Sequence, residues 1–500
     1  MTTTSDHETL GRDLIPVLGQ APLPMLIDGQ WIEGQGATFD VTNPATGAVL
    51  CSVSGAGPDD VERAVASART AFVDGRWSHL RPDERARGLN RWADLVERDL
   101  ETLALLETLQ TGKPIRESRG DVARALDGIR FYAAAARNIR GETIEVSRSH
   151  HSYVESEPVG LVACIVPWNV PIVLAVSKAA PALAAGNAVI IKPSQSTPLT
   201  AMRLGQLWHE AGLPHGTLSV LNGSGRSVGE ALCTHPLVTM VTFTGSTDVG
   251  LRLGELTARQ NKRIMLELGG KSPNIVLEDA DFTRAVPGAA SAIFYGQGQI
   301  CAAGSRLLLQ ESIYESFLTA LIEETSRIRI GDPLDPATDF GALASVSHRD
   351  DVLGWVRRAE LDGARVVAGG QAAHVSGLAN GAFMQPTIIV DAAPTDAIAC
   401  EEVFGPVLVV QRVRDAEEAI NVANDSMFGL SAGVWTADVA LGRRIARRLE
   451  SGVVWINDYG KFHPAMPFGG VKLSGSAHRE WSHLAMEAFL EHKAIWEWME

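Results

Sequence analysis

Two short segments of this 500-residue chain carry residues that could act as a nucleophile and a base. Cys301 lies in the run GQGQICAAGSR, at 296–306, where small neighbours would leave a thiol open to a substrate. A structural cysteine is more often buried among large apolar side chains. Glu267 lies upstream in LELGGK, at 266–271, with its carboxylate between two leucines. Together they predict covalent catalysis by a thiol, with a carboxylate as general base.

Composition narrows the functions that such a site could serve. Lysine and arginine number 44 and aspartate and glutamate 59, and this net charge of −15 argues against binding to nucleic acid or an anionic membrane. The five cysteines are widely separated, with no CxxC pair or zinc-type cluster, so we expect a reducing, cytoplasmic location and no metal. Apolar residues make up 45% of the chain, enough for two or three domains.

The alternation of apolar patterns predicts an α/β fold built from βαβ units on a largely parallel sheet. We expect strands at 159–166, 188–192, 218–221, 238–243, 274–276, 305–310, 387–390, 453–457 and 488–498. We expect helices at 58–73, 83–111, 178–185, 200–211, 227–233, 248–259, 311–328, 347–361 and 416–424. The uncharged stretch 159–176 is interrupted by glycine and prolines, so it reads as a strand, a turn and a helix start, not as a membrane span.

Three more motifs could serve a cofactor and a developing negative charge. Residues 238–250 read as a strand, a turn and a helix start that offers N–H groups to a pyrophosphate, without the GxGxxG spacing. Lys192 ends another strand, at the edge where open α/β sheets bind ligands. Asn169 lies between two prolines that fix its backbone, so its amide could support an oxyanion. Each motif alone also has an ordinary structural explanation, such as a plain turn or a surface lysine.

In combination, these segments resemble the aldehyde dehydrogenase superfamily, from about Trp31 to the C-terminus. Seven motifs stand in the family's order: PWN (167–169), KPS (192–194), FTGST (243–247), LELGGK (266–271), GQIC (298–301), EVFGP (402–406) and PFGG (467–470). The resemblance implies a Rossmann-like cofactor-binding domain at 21–137 and 158–268 and an α/β catalytic domain at 269–475. It also implies a small β oligomerisation element at 138–157 and 476–500, which predicts a homodimer or homotetramer. Residues 1–20 would form a flexible leader.

The resemblance implies oxidation of a small aldehyde to its acid through a covalent intermediate. Cys301 would attack the carbonyl, and the Asn169 amide with the backbone N–H of Cys301 would hold the oxyanion. Hydride would pass to a nicotinamide, and Glu267 would then activate the water that hydrolyses the thioester. Lys178 and Glu480 complete the implied catalytic set. Glu480 follows a loop, around Ala477 and His478, that is one residue longer than the family pattern.

The same resemblance assigns the cofactor contacts. Glu402 would hold the nicotinamide ribose beside Phe404, Lys192 the adenosine ribose, and Gly245 with Ser246 the pyrophosphate. The remaining implied contacts are Ile165, Pro167, Trp168, Ser194, Gln195, Gly225, Gly229, Phe243 and Leu268. Gln195 replaces the glutamate with which many NAD-preferring members repel a 2′-phosphate. The neutral Gln195 leaves NADP open as the cofactor. We still favour NAD, because no arginine that could bind a 2′-phosphate follows Lys192 closely.

The substrate is the least specified part of the sequence. An apolar wall of Val170, Leu174, Ile300 and Phe462, joined by Trp168, favours a medium-sized aliphatic or aromatic aldehyde. Lys461 and His463, which flank Phe462, could instead meet a carboxylate and select a semialdehyde. Two alternative functions also stay open. A CoA-acylating relative would resolve the thioester with CoA, and a non-catalytic binding protein would keep only the fold.

Overall fold

The computed structural model describes residues 4–15, 19–476 and 478–499. The helices are α1 Thr4–Leu14, α2 Pro58–Val73, α3 Pro82–Arg98, α4 Leu100–Thr111, α5 Ile115–Ala135, α6 Pro171–Ala185, α7 Leu199–Glu210, α8 Glu230–Thr234, α9 Thr247–Ala258, α10 Phe282–Phe294, α11 Tyr314–Ser326, α12 Val346–Leu361, α13 Ala397–Cys400, α14 Ala416–Asn424, α15 Val439–Ala446 and α16 Ser482–Ala488.

The strands are β1 Met25–Ile27, β2 Gln30–Ile32, β3 Phe39–Thr42, β4 Val49–Val53, β5 Glu142–Thr143, β6 His150–Pro158, β7 Leu161–Ile165, β8 Ala188–Lys192, β9 Leu218–Val220, β10 Met240–Thr244, β11 Arg263–Glu267, β12 Pro273–Val276, β13 Arg306–Gln310, β14 Arg365–Ala368, β15 Thr387–Val390, β16 Val407–Val413, β17 Phe428–Gly429, β18 Ser431–Trp435, β19 Val453–Ile456, β20 Val471–Lys472 and β21 Leu490–Trp498. The mixture of parallel sheets and covering helices confirms the α/β fold class.

The first large sheet has seven strands in the order β11-β10-β7-β8-β9-β1-β2, of which the first five are parallel. β7, β8 and β10 are buried along their whole length, as expected for strands with helices on both faces. The chain runs outward from β7 to β8 and β9 and then returns to place β10 on the other side of β7. This reversal creates a crevice between the carboxyl ends of β7 and β10, where open α/β sheets bind ligands.

The second large sheet has the order β14-β15-β16-β13-β12-β18-β19, and only β14 runs antiparallel to its neighbour. The chain passes from the first sheet to the second between Glu267, which ends β11, and Pro273, which begins β12. A third sheet has three strands in the order β21-β6-β5. The domain limits given above stay a prediction, although each sheet falls within one of them.

Several elements differ from the sequence-based expectations. Helix 83–111 is broken at Asp99 into α3 and α4, a boundary that no glycine or proline announces. The helix expected at 178–185 begins already at Pro171, because proline is well suited to the first helical turn. The segment 227–233 is a π-helical turn at Gly225–Gly229 followed by the short α8. The long helices α5 and α10 and the strands β6, β16 and β18 were not expected.

The leader expected at 1–20 stays a prediction, and part of it is described in the structure. Residues Thr4–Leu14 form α1. His7 is buried, and its ring contacts Asp332 at 2.8 Å and Asn43 at 3.1 Å. Ile15 joins the main apolar core. These polar and apolar contacts hold α1 against the body, while residues 1–3 and 16–18 lie outside the described part of the chain.

The uncharged stretch 159–176 forms β7, a turn and the first turn of α6, as its prolines predicted. Among the described residues, none of the helices combines the length and the hydropathy that a membrane crossing requires. A search of the same residues for groups of three or more histidine, cysteine, aspartate or glutamate side chains that could hold a metal ion found none.

Candidate active site

A cavity of about 280 Å³ opens where β7 and β10 part. Its walls come from the segments that follow β7, β10 and β11 and from the Cys301 loop. Helix α12 and the segment before β16 complete them. The lining residues are Pro167, Trp168, Asn169, Thr244, Gly245, Ser246, Leu268, Gly269, Cys301, His348, Glu402 and Phe404. The fold therefore brings residues from five of the seven sequence motifs to one place.

The loop before Cys301 is held in an unusual backbone conformation. Gly296, Gln297 and Gly298 have φ values of 60°, 57° and 70°, in the left-handed region. A Cβ atom at Gly298 would lie 2.3 Å from the carbonyl oxygen of Gly405, so only glycine fits there. The loop leaves Cys301 partly exposed, in contrast to Cys51, Cys164 and Cys233, which are buried.

The electrostatic setting of Cys301 favours the protonated thiol. Burial in the cavity wall and the nearby carboxylates of Glu402 and Glu267 raise the pKa of the thiol, and the backbone N–H of Ala302 opposes them. Because the thiolate is the nucleophile, the proton must leave before attack. The carbonyl oxygen of Ala302 accepts a hydrogen bond from the Tyr459 hydroxyl at 2.9 Å, which fixes the chain directly after the cysteine.

Asn169 is placed by the end of β7 and the start of α6. Its side chain is buried, and its Nδ2 donates one hydrogen bond to the carbonyl oxygen of Gln299 at 2.8 Å. An amide nitrogen carries two hydrogens, so the second is left for a ligand in the cavity. The Asn169 Oδ1 atom is buried without a hydrogen-bond partner in the described structure. The bond to Gln299 ties the amide to the loop of Cys301, two residues away.

Glu267 ends β11 and is buried behind the cavity wall formed by Leu268 and Gly269. Both its carboxylate oxygens lack a hydrogen-bond partner among the described residues. Burial and the carboxylate of Glu480 raise the pKa of Glu267 well above its ordinary value, while Lys178 acts in the opposite direction. A carboxylate with a raised pKa is suited to general base chemistry near neutral pH.

Lys178 and Glu480 form an ion pair with both side chains buried. The second oxygen of Glu480 accepts a hydrogen bond from the Ser177 hydroxyl at 3.1 Å. Glu480 reaches this position because its backbone pairs with Phe468, each N–H donating to the other's carbonyl at 2.8 Å. The structure therefore brings both residues close enough to Glu267 for their charges to act on its carboxylate. Ala477, within the longer loop before Glu480, lies outside the described residues.

Glu402 and Phe404 enter the cavity from the segment before β16. The backbone N–H of Gly270 donates to Glu402 Oε1 at 2.8 Å, and burial raises the pKa of Glu402 to about 7. The Phe404 ring meets Trp168 edge to face at a centroid distance of 5.3 Å. His348 packs on the same indole at 5.2 Å, and its Nε2 lies 2.9 Å from the Phe404 carbonyl oxygen.

The crevice has the features that an anionic cofactor needs. Ser246 is the N-terminal cap of α9, and its side chain makes no capping hydrogen bond, which leaves the helix's first N–H groups free. Thr247 Oγ1 is buried without a hydrogen-bond partner in the described structure. Gly245 and Ser246 line the cavity with the backbone of this turn. The residues present thus fit a phosphate-bearing group.

The other expected cofactor residues lie along the same sheet edge but not in this cavity. Ile165 pairs with Lys192 across β7 and β8, and burial lowers the pKa of Lys192 to about 8. Gly229 lies beside Ile165, since a Cβ atom at Gly229 would make an ordinary van der Waals contact of 3.8 Å with Ile165 Cδ1. The further members are Ser194 and Gln195, both half-buried after β8, Gly225 in the π-helical turn, and Phe243, buried in β10.

The four expected substrate-pocket residues do not line the cavity. Val170, Leu174 and Phe462 pack against the core of the first sheet, and Ile300 packs against that of the second. All four are half-buried, on the flanks of the Cys301 and Asn169 segments. Their role stays a prediction. Lys461 and His463, the alternative carboxylate ligands, are exposed.

Sequence reasoning missed several residues of the site. His348 lies on α12, outside any motif, and reaches the cavity by packing on Trp168. Gly469 has a φ of 146°, and a Cβ atom there would lie 2.4 Å from Glu267 Oε1. The PFGG motif contained Gly469, and its paired glycines were the one available signal for that close approach.

Comparisons with known proteins agree with this geometry. The aldehyde dehydrogenase family pattern matches residues 31–495. An NADP/NAD-dependent aldehyde dehydrogenase of Escherichia coli, PuuC, is 44% identical over 476 residues, covering 94% of this chain and 95% of that protein. An aldehyde dehydrogenase of Aspergillus niger is 40% identical over 478 residues, covering 95% of each chain.

Solved structures show the same fold over nearly the whole length. A betaine aldehyde dehydrogenase from Staphylococcus aureus in complex with NAD+ superposes with a TM-score of 0.94 at 38% identity, covering 97% of this chain and 95% of that one. An aldehyde dehydrogenase from Bacillus cereus, also an NAD+ complex, gives 0.93 at 39% identity, covering 95% and 96%. With the family pattern and these relatives covering almost all of it, the chain belongs to the aldehyde dehydrogenase family.

Proposed function

We propose that the protein oxidises an aldehyde to a carboxylic acid with NAD(P)+ and water. The observation that carries this proposal is the placement of Cys301, the Asn169 amide and Glu402 on one cavity, with Glu267 buried directly behind it. A nucleophile, an oxyanion donor and a base are the three groups that a thioester route requires.

The chemistry runs in two steps on Cys301. The Cys301 thiol first releases its proton to solvent water; the thiolate then adds to the aldehyde carbon, and the oxyanion is stabilised by the Asn169 amide and the Cys301 N–H. Loss of hydride from that carbon leaves an acyl thioester on Cys301, and a nicotinamide bound in the crevice would accept that hydride. Water then adds to the thioester while Glu267 takes its proton, and cleavage of the C–S bond releases the acid as Glu267 returns the proton to the sulfur of Cys301.

We assign the cofactor to the crevice between β7 and β10 and beyond it along the sheet edge. Gly245 and Ser246 would hold the pyrophosphate at the α9 N-terminus, and Glu402 with Phe404 the nicotinamide end. Lys192 and Gln195 would meet the adenosine ribose at the end of β8. A neutral amide at Gln195 does not repel a 2′-phosphate, so both NAD and NADP are expected to work, with NAD favoured. The E. coli relative is named as using both.

The CoA-acylating alternative is disfavoured by Glu267. A base buried beside the thioester serves attack by water, whereas a CoA thiol would bring its own nucleophile. A steady-state panel of aldehydes with NAD and NADP, each with and without CoA, tests the proposal. We expect acid and reduced cofactor without CoA in the wild type, and loss of both in Cys301→Ala with cofactor binding retained. Strict dependence on CoA, or full activity of Cys301→Ala, would overturn it. Failure to bind either cofactor would point to a non-catalytic protein.

We further propose that the protein is a cytoplasmic homo-oligomer, a dimer or a homotetramer. The five unpaired cysteines suit a reducing compartment. β21 lies at the edge of its three-stranded sheet, and Trp496 and Trp498 on it are 59% and 65% exposed. Large exposed aromatic side chains on an edge strand are typical of a surface that another chain covers.

A further inference from the structure

Arg124 lies at a position that the catalytic account leaves unused. It is on α5, and its guanidinium carbon lies 5.6 Å from the centre of the Phe462 ring. Its side chain is 31% exposed, so it is half-buried against an aromatic face with access to solvent. Phe462 is one of the aromatic residues that the sequence placed at the substrate pocket.

The Arg124 guanidinium has more N–H donors than its neighbours use. It contacts Asp121 Oδ1 through one nitrogen at 3.3 Å, near the long limit for a hydrogen bond. The other oxygen of Asp121 accepts a shorter bond, 2.6 Å, from Lys113. The hydroxyl of Tyr295 and the carboxylate of Glu117 are the further polar neighbours that act on the Arg124 guanidinium. Since a guanidinium carries five N–H donors in a planar fork, Arg124 retains enough of them to bind a second carboxylate.

The surrounding acids do not cancel this charge. Burial raises the pKa of Glu117 to about 7, so this neighbour favours the protonated form more than an exposed glutamate does. Asp121 is shared with Lys113. Arg124 therefore presents a positive charge that its neighbours compensate only in part.

Two chains of contact connect Arg124 to the reacting atoms. Tyr295 begins the left-handed turn that leads into Cys301. Phe462 packs edge to face on Phe468 at 6.2 Å, and the next residue, Gly469, lies against Glu267. The cavity that holds Glu402 is lined by other described residues, and its lining does not include Arg124, Tyr295 or Phe462.

We propose that Arg124 binds a carboxylate at the far end of the substrate, so that the preferred aldehydes are ω-oxo acids. This inference rests on the proposed function. The apolar residues expected at the pocket, with Tyr295, would contact the carbon chain, while the guanidinium pairs with the distal carboxylate in the bidentate geometry that arginine favours. Arg124 would take the role that the sequence left open for Lys461 and His463, whose side chains are exposed.

The test uses substrates matched in length and varied in charge. Butanal, 4-oxobutanoate and 4-(trimethylammonio)butanal are compared at saturating NAD, and hexanal is paired with 6-oxohexanoate to sample a longer reach. In the wild type, at least one oxo acid is expected to exceed its neutral partner in kcat/KM. Arg124→Met should lower that ratio about 10- to 100-fold, mainly through KM, and raise the relative rate of the cationic aldehyde. The ratio of kcat/KM values in Arg124→Lys should fall between those of the wild type and Arg124→Met.

Matched variants separate this inference from general damage. Arg116→Met removes a charge from the same helix, where Arg116 pairs with Asp339 at the surface, and should leave the charge preference unchanged. Unchanged ratios in Arg124→Met for both pairs would overturn the inference, as would a shift in Lys461→Met as large as that in Arg124→Met. If wild-type enzyme oxidises none of the five aldehydes, the proposed function itself fails. If it oxidises the neutral ones without charge preference, only Arg124's role fails.

Discussion

Burial raises the pKa of Glu267, and charged neighbours act on it in both directions, with Arg479 among those that lower it. Glu480 raises it and Lys178 lowers it. Because the base must be ionised to accept a proton from water, the rate of thioester hydrolysis should rise with pH through this pKa. The buried ion pair therefore adjusts the pH at which the acyl enzyme turns over.

Removing either partner of the pair should move the pH profile in a predictable direction. Lys178→Met takes away the positive charge, so the pKa of Glu267 rises further and the profile moves to higher pH by about one to two units. Glu480→Gln takes away the negative charge and should move it to lower pH. The pH dependence of kcat at saturating aldehyde and NAD measures both. Shifts in the same direction would contradict this account.

The single variants should also lose stability, by about 3–5 kcal/mol for Lys178→Met, because an unpaired carboxylate is left buried. The double variant Lys178→Met/Glu480→Gln should recover part of this loss. Thermal unfolding of each variant, measured over the same pH range as kcat, distinguishes a loss of stability from a change in the pKa of Glu267.

At the scale of elements, the loop carrying Gly469 fixes the position of Glu267. The left-handed φ of 146° and the absent side chain let this loop lie against the carboxylate. Gly469→Ala should displace Glu267 and reduce kcat at least tenfold, with NADH formation in the first turnover less affected. Gly212→Ala is the control, since Gly212 has a φ of 66° but no atoms within 4 Å of an added Cβ. Equal losses of kcat in the two variants would show that backbone strain alone lowers kcat, and would contradict a role for Gly469 in positioning Glu267.

The elements that carry the motifs were predictable from local patterns, and the contacts between distant elements were not. β7, β8 and β10 are short apolar runs with clear ends, so Asn169, Lys192 and Gly245 could be placed at strand termini. α5 was missed because its alanines and polar residues blur the helical pattern. The chemistry of Cys301, Glu267 and Asn169 followed from residue type and motif order.

His348 and Arg124 had no comparable local signal, and Gly469 had only the paired glycines of the PFGG motif. His348 meets Trp168 across 180 positions of sequence, and Arg124 meets Phe462 across more than 300. Such pairs are created by the packing of one sheet's helices against loops of the other. The break between α3 and α4 at Asp99 was missed for a related reason, since apolar periodicity continues across it. These contacts and this helix break depend on tertiary packing, which the periodicity of a single segment does not predict.

At the scale of the whole molecule, β21 is the strand through which we propose that the protein assembles. Trp496→Glu with Trp498→Glu places two charges on the exposed face of this strand and should shift sedimentation velocity toward a monomer. Leu361→Glu is the control, because Leu361 is 85% exposed at the end of α12 and lies far from β21 in sequence. An unchanged sedimentation coefficient in the double variant would exclude this strand from the interface.

The central claim is that Cys301 becomes acylated and that Glu267 drives its release. Glu267→Gln should slow release by about 10²–10⁴-fold, so one equivalent of NADH should appear in a burst and the acyl group should stay on the enzyme. Rapid mixing with hexanal and NAD, followed by acid quench and mass spectrometry of the digested protein, detects it directly. We expect a hexanoyl group on the peptide containing Cys301. Undiminished steady-state turnover with no acyl group on that peptide would contradict it.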